Sequence, residues 1–184
     1  MLTTTLVALA LHQAVSSDSF TFTEGLAIPR VSVGGRQTIP IDAIAQMMVN
    51  GDPISPKQGE TILFLYGESS WQAIKAENDG FNQGAYMSGY LLCTFQSDRD
   101  KIMTLEASGH GMVYVNGNPR AGDVYGNGYL HIPVQCKKGL NSFLFSSGRG
   151  NMTAKLVSPR AAYMVDSSDP TVPDLLATDK TPLY

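Results

Sequence analysis

The stretch that most constrains the fold covers residues 109–156, where short apolar runs alternate with turn signals. The runs recur roughly every eight to twelve residues, a spacing typical of an antiparallel β-sandwich or barrel. Residues 113–115 lead into Asn116-Gly117, the pair that best tolerates positive φ at both centres of a type I′ turn. The pattern therefore predicts a β-hairpin there, with Gly117 at positive φ.

The same alternation extends the prediction to most of the chain. The predicted strands are 61–66, 90–95, 101–107, 112–115, 132–134 and 143–145. The last two flank a turn at Lys137-Lys138-Gly139, and the alternation points Met103, Leu105 and Ala107 into the core. We expect an all-β protein, an antiparallel β-sandwich of jelly-roll type with an N-terminal extension containing one short helix. That helix is predicted over residues 40–49, with Pro40 in its first turn.

The beginning of the chain has the character of an export signal. An apolar run over residues 6–15 ends at Ala14-Val15-Ser16, a small-x-small cleavage pattern. No Lys or Arg precedes the run, and a buried helix or a first strand is the alternative interpretation. The run is too short to span a bilayer. We therefore expect a signal peptide at 1–16 and a secreted or periplasmic protein.

Composition divides the remaining chain into three segments. Residues 17–60 are predicted as the N-terminal extension and residues 61–158 as the β-sandwich domain. Residues 159–184 are rich in Pro and Ser, so we expect a linker toward a further C-terminal domain. The net charge is −3 and no basic cluster exceeds Lys137-Lys138, which argues against nucleic-acid binding.

The two cysteines are predicted to point inward from strands, because each alternates in phase with apolar residues. They can be small buried apolar residues or a disulfide, which requires Cα atoms within about 7 Å. No Cys or His spacing suggests a zinc site. The positions are Cys93 and Cys136.

Two motifs suggest catalysis only superficially. Gly67-Glu68-Ser69-Ser70-Trp71 resembles the G-x-S-x-G nucleophile elbow, but Trp71 occupies the fifth position, where close packing requires glycine. We therefore expect a turn after a strand. His110 lies between two glycines, and we expect a turn residue whose ring packs on Tyr114 or Tyr125, with a metal-ligand or base role as the alternative.

A glycine-rich loop carries the best candidate ligand-binding residues. Aromatic faces and planar polar groups are what a sugar-binding surface uses. The alternative is that these residues pack the edge of the sandwich and contact a partner domain. The candidates are Arg120, Asp123, Tyr125, Asn127, Tyr129 and His131.

We expect no cofactor, although a structural calcium ion is an open alternative. Four loop residues supply oxygen donors, yet no Asp-x-Asp-x-Asp-Gly loop is present. They are Asp98, Asp100, Asn116 and Asp123.

Several segments together resemble the galactose-binding-like jelly-roll modules, and more narrowly the N-terminal accessory domain of secreted bacterial α/β-hydrolases of the prolyl-oligopeptidase or esterase kind. The segments that carry the resemblance are 51–59, Trp71, Gly89-Tyr90, 107–125, 132–141, Arg149-Gly150 and 169–175. The resemblance implies that the chemistry belongs to a catalytic domain C-terminal to this region.

Three functional hypotheses follow. The first is a non-catalytic accessory module of a larger secreted hydrolase, which positions or shields the catalytic domain. The second is a carbohydrate-binding module with a glycan partner. The third is a small serine hydrolase that uses Ser69. Neither nucleic acid nor a membrane is an expected partner.

Overall fold

The computed structural model describes residues 19–29, 31–33, 41–52, 54–64, 67–159 and 161. The predicted signal peptide at 1–16 lies outside the described residues, as does the predicted linker apart from residues 159 and 161.

Ten strands form two antiparallel sheets. The four-stranded sheet has the order β1 (Ser19–Thr21), β14 (Thr153–Val157), β9 (Lys101–Ser108), β12 (His131–Cys136). The six-stranded sheet has the order β11 (Asn118–Arg120), β10 (His110–Val115), β13 (Gly139–Ser147), β8 (Tyr90–Ser97), β2 (Glu24–Ile28), β7 (Gln72–Lys75). The prediction of an all-β sandwich is confirmed. The finer jelly-roll assignment stays a prediction.

The remaining elements are short. They are two small antiparallel pairs, β3 (Ser32–Val33) with β4 (Ile41–Asp42) and β5 (Thr61–Phe64) with β6 (Gly67–Ser70), the helix α1 (Ala43–Asn50), and a 3₁₀ helix over Gln83–Tyr86.

The main core lies between the two sheets and is built by alternate residues of each strand. The predicted inward residues of β9, Met103, Leu105 and Ala107, are all buried there. Cys93 and Cys136 are buried in the same core and both thiols are free. Burial raises the pKa of both thiols, so they remain protonated at neutral pH and act as small apolar residues.

A second core covers the outer face of the six-stranded sheet. Ile28, Tyr90, Leu92 and Leu144 point away from the main core and pack with residues of the other elements. Those partners include Ile44 of α1, Ile62 of β5, and Trp71, which is only 1% exposed.

Asp42 attaches the helix to this sheet. One carboxylate oxygen accepts the backbone N–H of Ala45 as the helix N-cap, at 2.9 Å. The other accepts the hydroxyl of Tyr90 at 2.9 Å. The predicted helix exists, but its predicted start at Pro40 was wrong, because Ile41–Asp42 is a strand and Asp42 is the cap.

The topology adds to one sequence expectation and corrects another. The segment 17–60, predicted as an N-terminal extension, supplies β1 to one sheet and β2 to the other. Lys137-Lys138-Gly139 does not close a hairpin, because β12 and β13 belong to different sheets. Alternation identifies which strands exist but carries no information about their partners.

The predicted strand over 61–66 is only partly recovered. The described strand is Thr61–Phe64, and Leu65 and Tyr66 lie outside the described residues. It pairs with β6 in a separate hairpin, where Leu63 is 78% exposed. The predicted strand therefore forms over Thr61–Phe64, in a hairpin whose Ile62 packs on the outer face of the six-stranded sheet.

Asn141 ties two connections together inside the molecule. Its side chain is fully buried and accepts the backbone N–H of Lys137 at 2.8 Å. Its Oδ1 also accepts the side-chain amide of Asn116 at 2.9 Å, while Asn116 accepts the backbone N–H of Ser142. The amide nitrogen of Asn141 donates to carbonyls of residues 137 and 139. The Asn141 side chain thus links the connection between β12 and β13 to the turn at Asn116-Gly117.

The Asn116-Gly117 turn is confirmed and provides a first test. Asn116 has φ 48° and Gly117 has φ 87°, as a type I′ turn requires. A β-branched side chain at Gly117 must adopt a left-handed conformation costing about 1–2 kcal/mol or more. We expect Gly117→Val to lower the Tm by about 3–6 °C. Gly84→Val is the control, because Gly84 has no positive φ; equal melting of the two variants would contradict the turn assignment.

Asn141 provides a second test. Asn141→Leu keeps the side-chain volume but leaves several buried polar groups without partners, and we expect a loss of about 2–4 kcal/mol in unfolding free energy. The measurement is urea denaturation followed by circular dichroism. The matched control is Asn118→Leu, on the exposed strand β11, and a comparable loss in that variant would refute the special role of Asn141.

Candidate functional site

The candidate site lies on the outer face of the four-stranded sheet, where a row of polar side chains crosses all four strands. The strand registers place Thr21 opposite Lys155, Lys155 opposite Glu106, and Glu106 opposite His131. Glu106 and Lys155 each lie between two buried residues, so they point away from the core, and the register places Thr21 and His131 on the same face. Directly opposite residues have Cβ atoms about 5 Å apart, close enough for their side chains to act on one ligand.

An ion pair lies at the middle of this row. The ammonium nitrogen of Lys155 is 2.7 Å from Oε2 of Glu106. The two side chains are 49% and 31% exposed, so both remain accessible to a ligand. A pair this exposed contributes at most about 1 kcal/mol to the free energy of unfolding, so the fold does not depend on it.

The row lies in a groove of about 460 Å³. Hydroxyl groups continue its polar lining, and those of Ser108 and Thr153 hydrogen-bond each other at 2.9 Å. Phe22, Ala107 and Met152 also border the groove, although each is at most 4% exposed. The groove therefore offers hydrogen-bonding groups beside apolar surface.

Two turns form the sides of the groove. The first contains Glu77 and Gly80, which pair with each other, and is attached to the sheet by the Phe81–Met152 bridge. The amide of Asn151 also donates to Asp79, at 2.5 Å. The second side is Gly128, from the glycine-rich loop that precedes β12. This loop carries most of the candidate residues predicted from the sequence.

Asp123 organises the glycine-rich loop from within. Its carboxylate accepts the backbone N–H of Asn127 at 3.1 Å and of Gly128 at 2.5 Å. Its backbone carbonyl accepts the N–H groups of Gly109 and Gly126, at 2.9 and 3.1 Å. Asp123 was predicted as a ligand contact, and that role stays a prediction; its hydrogen bonds shape the loop that ends at the groove.

The other predicted residues divide between the groove and the loop surface. His131 lines the groove as part of the polar row. Tyr125 and Tyr129 are 71% and 57% exposed on the loop, and Arg149 lies over the Tyr125 ring at 5.2 Å from its centroid. Asn127 is exposed in the same loop, and Arg120 ends the edge strand β11. Neither contributes to the lining of the groove.

Sequence reasoning missed Thr21, Glu106 and Lys155. The available signal was their alternation with buried residues, since Glu106 lies between Leu105 and Ala107 and Lys155 precedes Leu156. That signal places each residue on an outer face but does not bring them together. Their juxtaposition depends on the strand register, which pairs residues 21, 155 and 106 from distant parts of the chain.

The two candidate catalytic residues, Ser69 and His110, both contact other parts of the fold. Ser69 lies within strand β6, not at a strand-to-helix turn, and its hydroxyl donates to the carbonyl of Pro29 at 2.6 Å. The geometry of a nucleophile elbow is therefore not formed at this serine. His110 begins strand β10 and packs edge-on against Phe145 at 5.3 Å, so the expectation of stacking on Tyr114 or Tyr125 was wrong.

The four candidate calcium ligands do not share a site, because each makes a contact with a different part of the fold. Asp98 pairs with Lys101 at 3.7 Å, and Asp100 accepts the N–H of Lys138 at 2.7 Å. Asn116 and Asp123 have the contacts given above. Within the described ranges, no group of three or more His, Cys, Asp or Glu side chains is arranged to hold a metal ion.

Comparisons with known proteins find no match for this chain among protein-family models, curated proteins or solved structures. In the part of the chain that the structure describes, no helix is both long enough and apolar enough to cross a membrane.

Proposed function

We propose that this chain is a non-catalytic binding module whose groove binds carbohydrate. The observation that supports the proposal most directly is the Thr21–Lys155–Glu106–His131 row, which lies accessible in a groove of about 460 Å³. This volume falls within the range of about 300–1,000 Å³ typical of small-ligand sites.

The chemistry of the groove suits a sugar better than an apolar ligand. Carboxylate, ammonium, imidazole and hydroxyl groups can each hydrogen-bond sugar hydroxyls. The methylene groups of Lys155, which also lines the groove, can contact the C–H faces of the ring. The exposed Tyr125 and Tyr129 provide further aromatic surface on the loop that forms one side of the groove.

A role inside a larger secreted hydrolase is a separate proposal that rests on the sequence resemblance. Several residues in the resembling segments have folding roles, such as Gly51 as the α1 C-cap and Asn141 inside the core. Shared fold requirements can therefore account for those particular matches. Sequencing the gene beyond codon 184 tests this proposal: an adjoining hydrolase domain supports it, and an immediate stop codon contradicts it.

The binding proposal predicts a specific pattern of variants. We expect Glu106→Gln and His131→Ala each to weaken oligosaccharide binding at least tenfold, about 1.4 kcal/mol, because each removes a hydrogen-bonding group from the row. A glycan array identifies the best oligosaccharide, and isothermal titration calorimetry measures its affinity for each variant.

The matched control for these variants is Gln135→Ala. Gln135 is exposed on the same strand and the same sheet face as His131 but does not line the groove. Its affinity should equal that of the parent. Failure of the parent protein to bind any oligosaccharide, or equal weakening in the control, would rule out this groove as the carbohydrate site.

The non-catalytic part of the proposal has its own test. We expect no turnover of short acyl esters or peptide amides, because the Ser69 hydroxyl is bonded to a backbone carbonyl in a strand. The assay compares the parent with Ser69→Ala. Turnover that disappears in the variant would overturn this proposal and favour the serine-hydrolase hypothesis.

A further inference from the structure

A buried histidine lies beneath the glycine-rich loop. The side chain of His110 is fully buried, and neither ring nitrogen makes a hydrogen bond of normal geometry. One side of the imidazole faces the Phe145 ring. Burial lowers the pKa of His110 to about 4, although the Asp123 carboxylate and the Ala121 backbone act in the opposite direction.

The loop covers this histidine closely. A Cβ atom added to Gly122 would come within 2.6 Å of the His110 carbonyl oxygen, so the two backbones are in direct contact. The side chain of Gln83 bonds to the Gly109 carbonyl and accepts the N–H of Gly148. Residues 109 and 148 are therefore fixed to the 3₁₀ helix, whereas residues 124–129 are all exposed.

The exposed part of the loop is held by hydrogen bonds to Asp123 and by the placement of Arg149 over Tyr125, while Leu130 at its end packs against the main core. Among the described residues, Asp123 is the charged group that acts on the imidazole. Phe145 on β13 and Gln83 on the 3₁₀ helix carry no charge.

We propose that His110 is an acid-operated latch for the loop over residues 121–130. In the closed loop the imidazole is neutral and sealed from water. When the loop opens, the ring reaches water and can accept a proton. Acid therefore favours the open loop, and the rest of the sandwich stays folded.

The latch adds pH regulation to the proposed binding site, and to that extent it rests on the proposed function. Gly128 forms one side of the groove, and His131 of the polar row directly follows the loop. Opening would separate the Asp123 carbonyl from the N–H of Gly109 and move Gly128 away from the groove. A ligand bound at neutral pH would then be released in acid.

The direction and size of the effect follow from proton linkage. The pKa of His110 lies at about 4 in the closed loop and near the ordinary value of 6.5 when exposed. Above pH 6.5 both states are neutral, so the latch contributes fully to closure. Between pH 6.5 and 4 only the open state binds the proton, and the opening equilibrium rises about 30-fold by pH 5.

The test is amide hydrogen exchange of the ligand-free protein, followed by NMR at pH 7.5 and pH 5 and corrected for intrinsic exchange rates. We expect the protection of the Gly109 amide, which bonds to the loop, to fall at least tenfold at pH 5. The amides of Phe22 and Asn116, which bond to the Ala154 and Ser142 carbonyls, should keep their protection. Equal loss at all three amides would mean global unfolding and would overturn the latch.

Two variants identify the titrating group. His110→Phe and His110→Gln cannot titrate, and in whichever of them folds the protection of the Gly109 amide should no longer depend on pH. His131→Gln should behave like the parent, because His131 lies in the groove and not under the loop. Persistence of the acid effect without His110, or its loss in His131→Gln, would refute the proposal. No carbohydrate is present in these measurements, so their failure leaves the binding proposal standing.

Discussion

The six-stranded sheet is apolar on both faces, and the arrangement of the whole molecule follows from this constraint. One face packs on the four-stranded sheet, and the other requires a second cover because Tyr90, Leu92 and Leu144 point outward. Helix α1 and the β5–β6 hairpin supply that cover. The outer face of the four-stranded sheet needs no such cover, because it carries charged and hydroxyl side chains. The polar groove is consequently located there.

The sequence predicted the elements of this fold better than their arrangement. Alternation identified Met103, Leu105 and Ala107 as core residues, and the turn preference of Asn116-Gly117 predicted its hairpin. These features depend on neighbouring residues alone. The topology depends on pairings across the chain, so the same alternation could not show that β12 and β13 belong to different sheets.

The candidate site was only partly predictable for the same reason. The sequence predicted His131 and the glycine-rich loop as candidate ligand-binding residues, because aromatic and polar residues cluster there in the chain. Glu106 and Lys155 join His131 only through strand pairing, and neither belongs to a local motif. Asp123 was predicted as a ligand contact, and that role stays a prediction. Its carboxylate oxygens accept backbone N–H groups of the same loop, a contact that the composition of the loop does not reveal.

The pairing of β1 with β14 sets the order in which the protein can be completed during synthesis. Ser19 pairs with Val157, so about 140 further residues must be synthesised before β1 can pair with β14. The strands β8, β10 and β13 are available earlier and lie side by side. Contacts between distant parts of a chain also form slowly. The four-stranded sheet, and the groove with it, can therefore be completed only after β14 has been synthesised, whereas every strand of the six-stranded sheet precedes β14 in the chain.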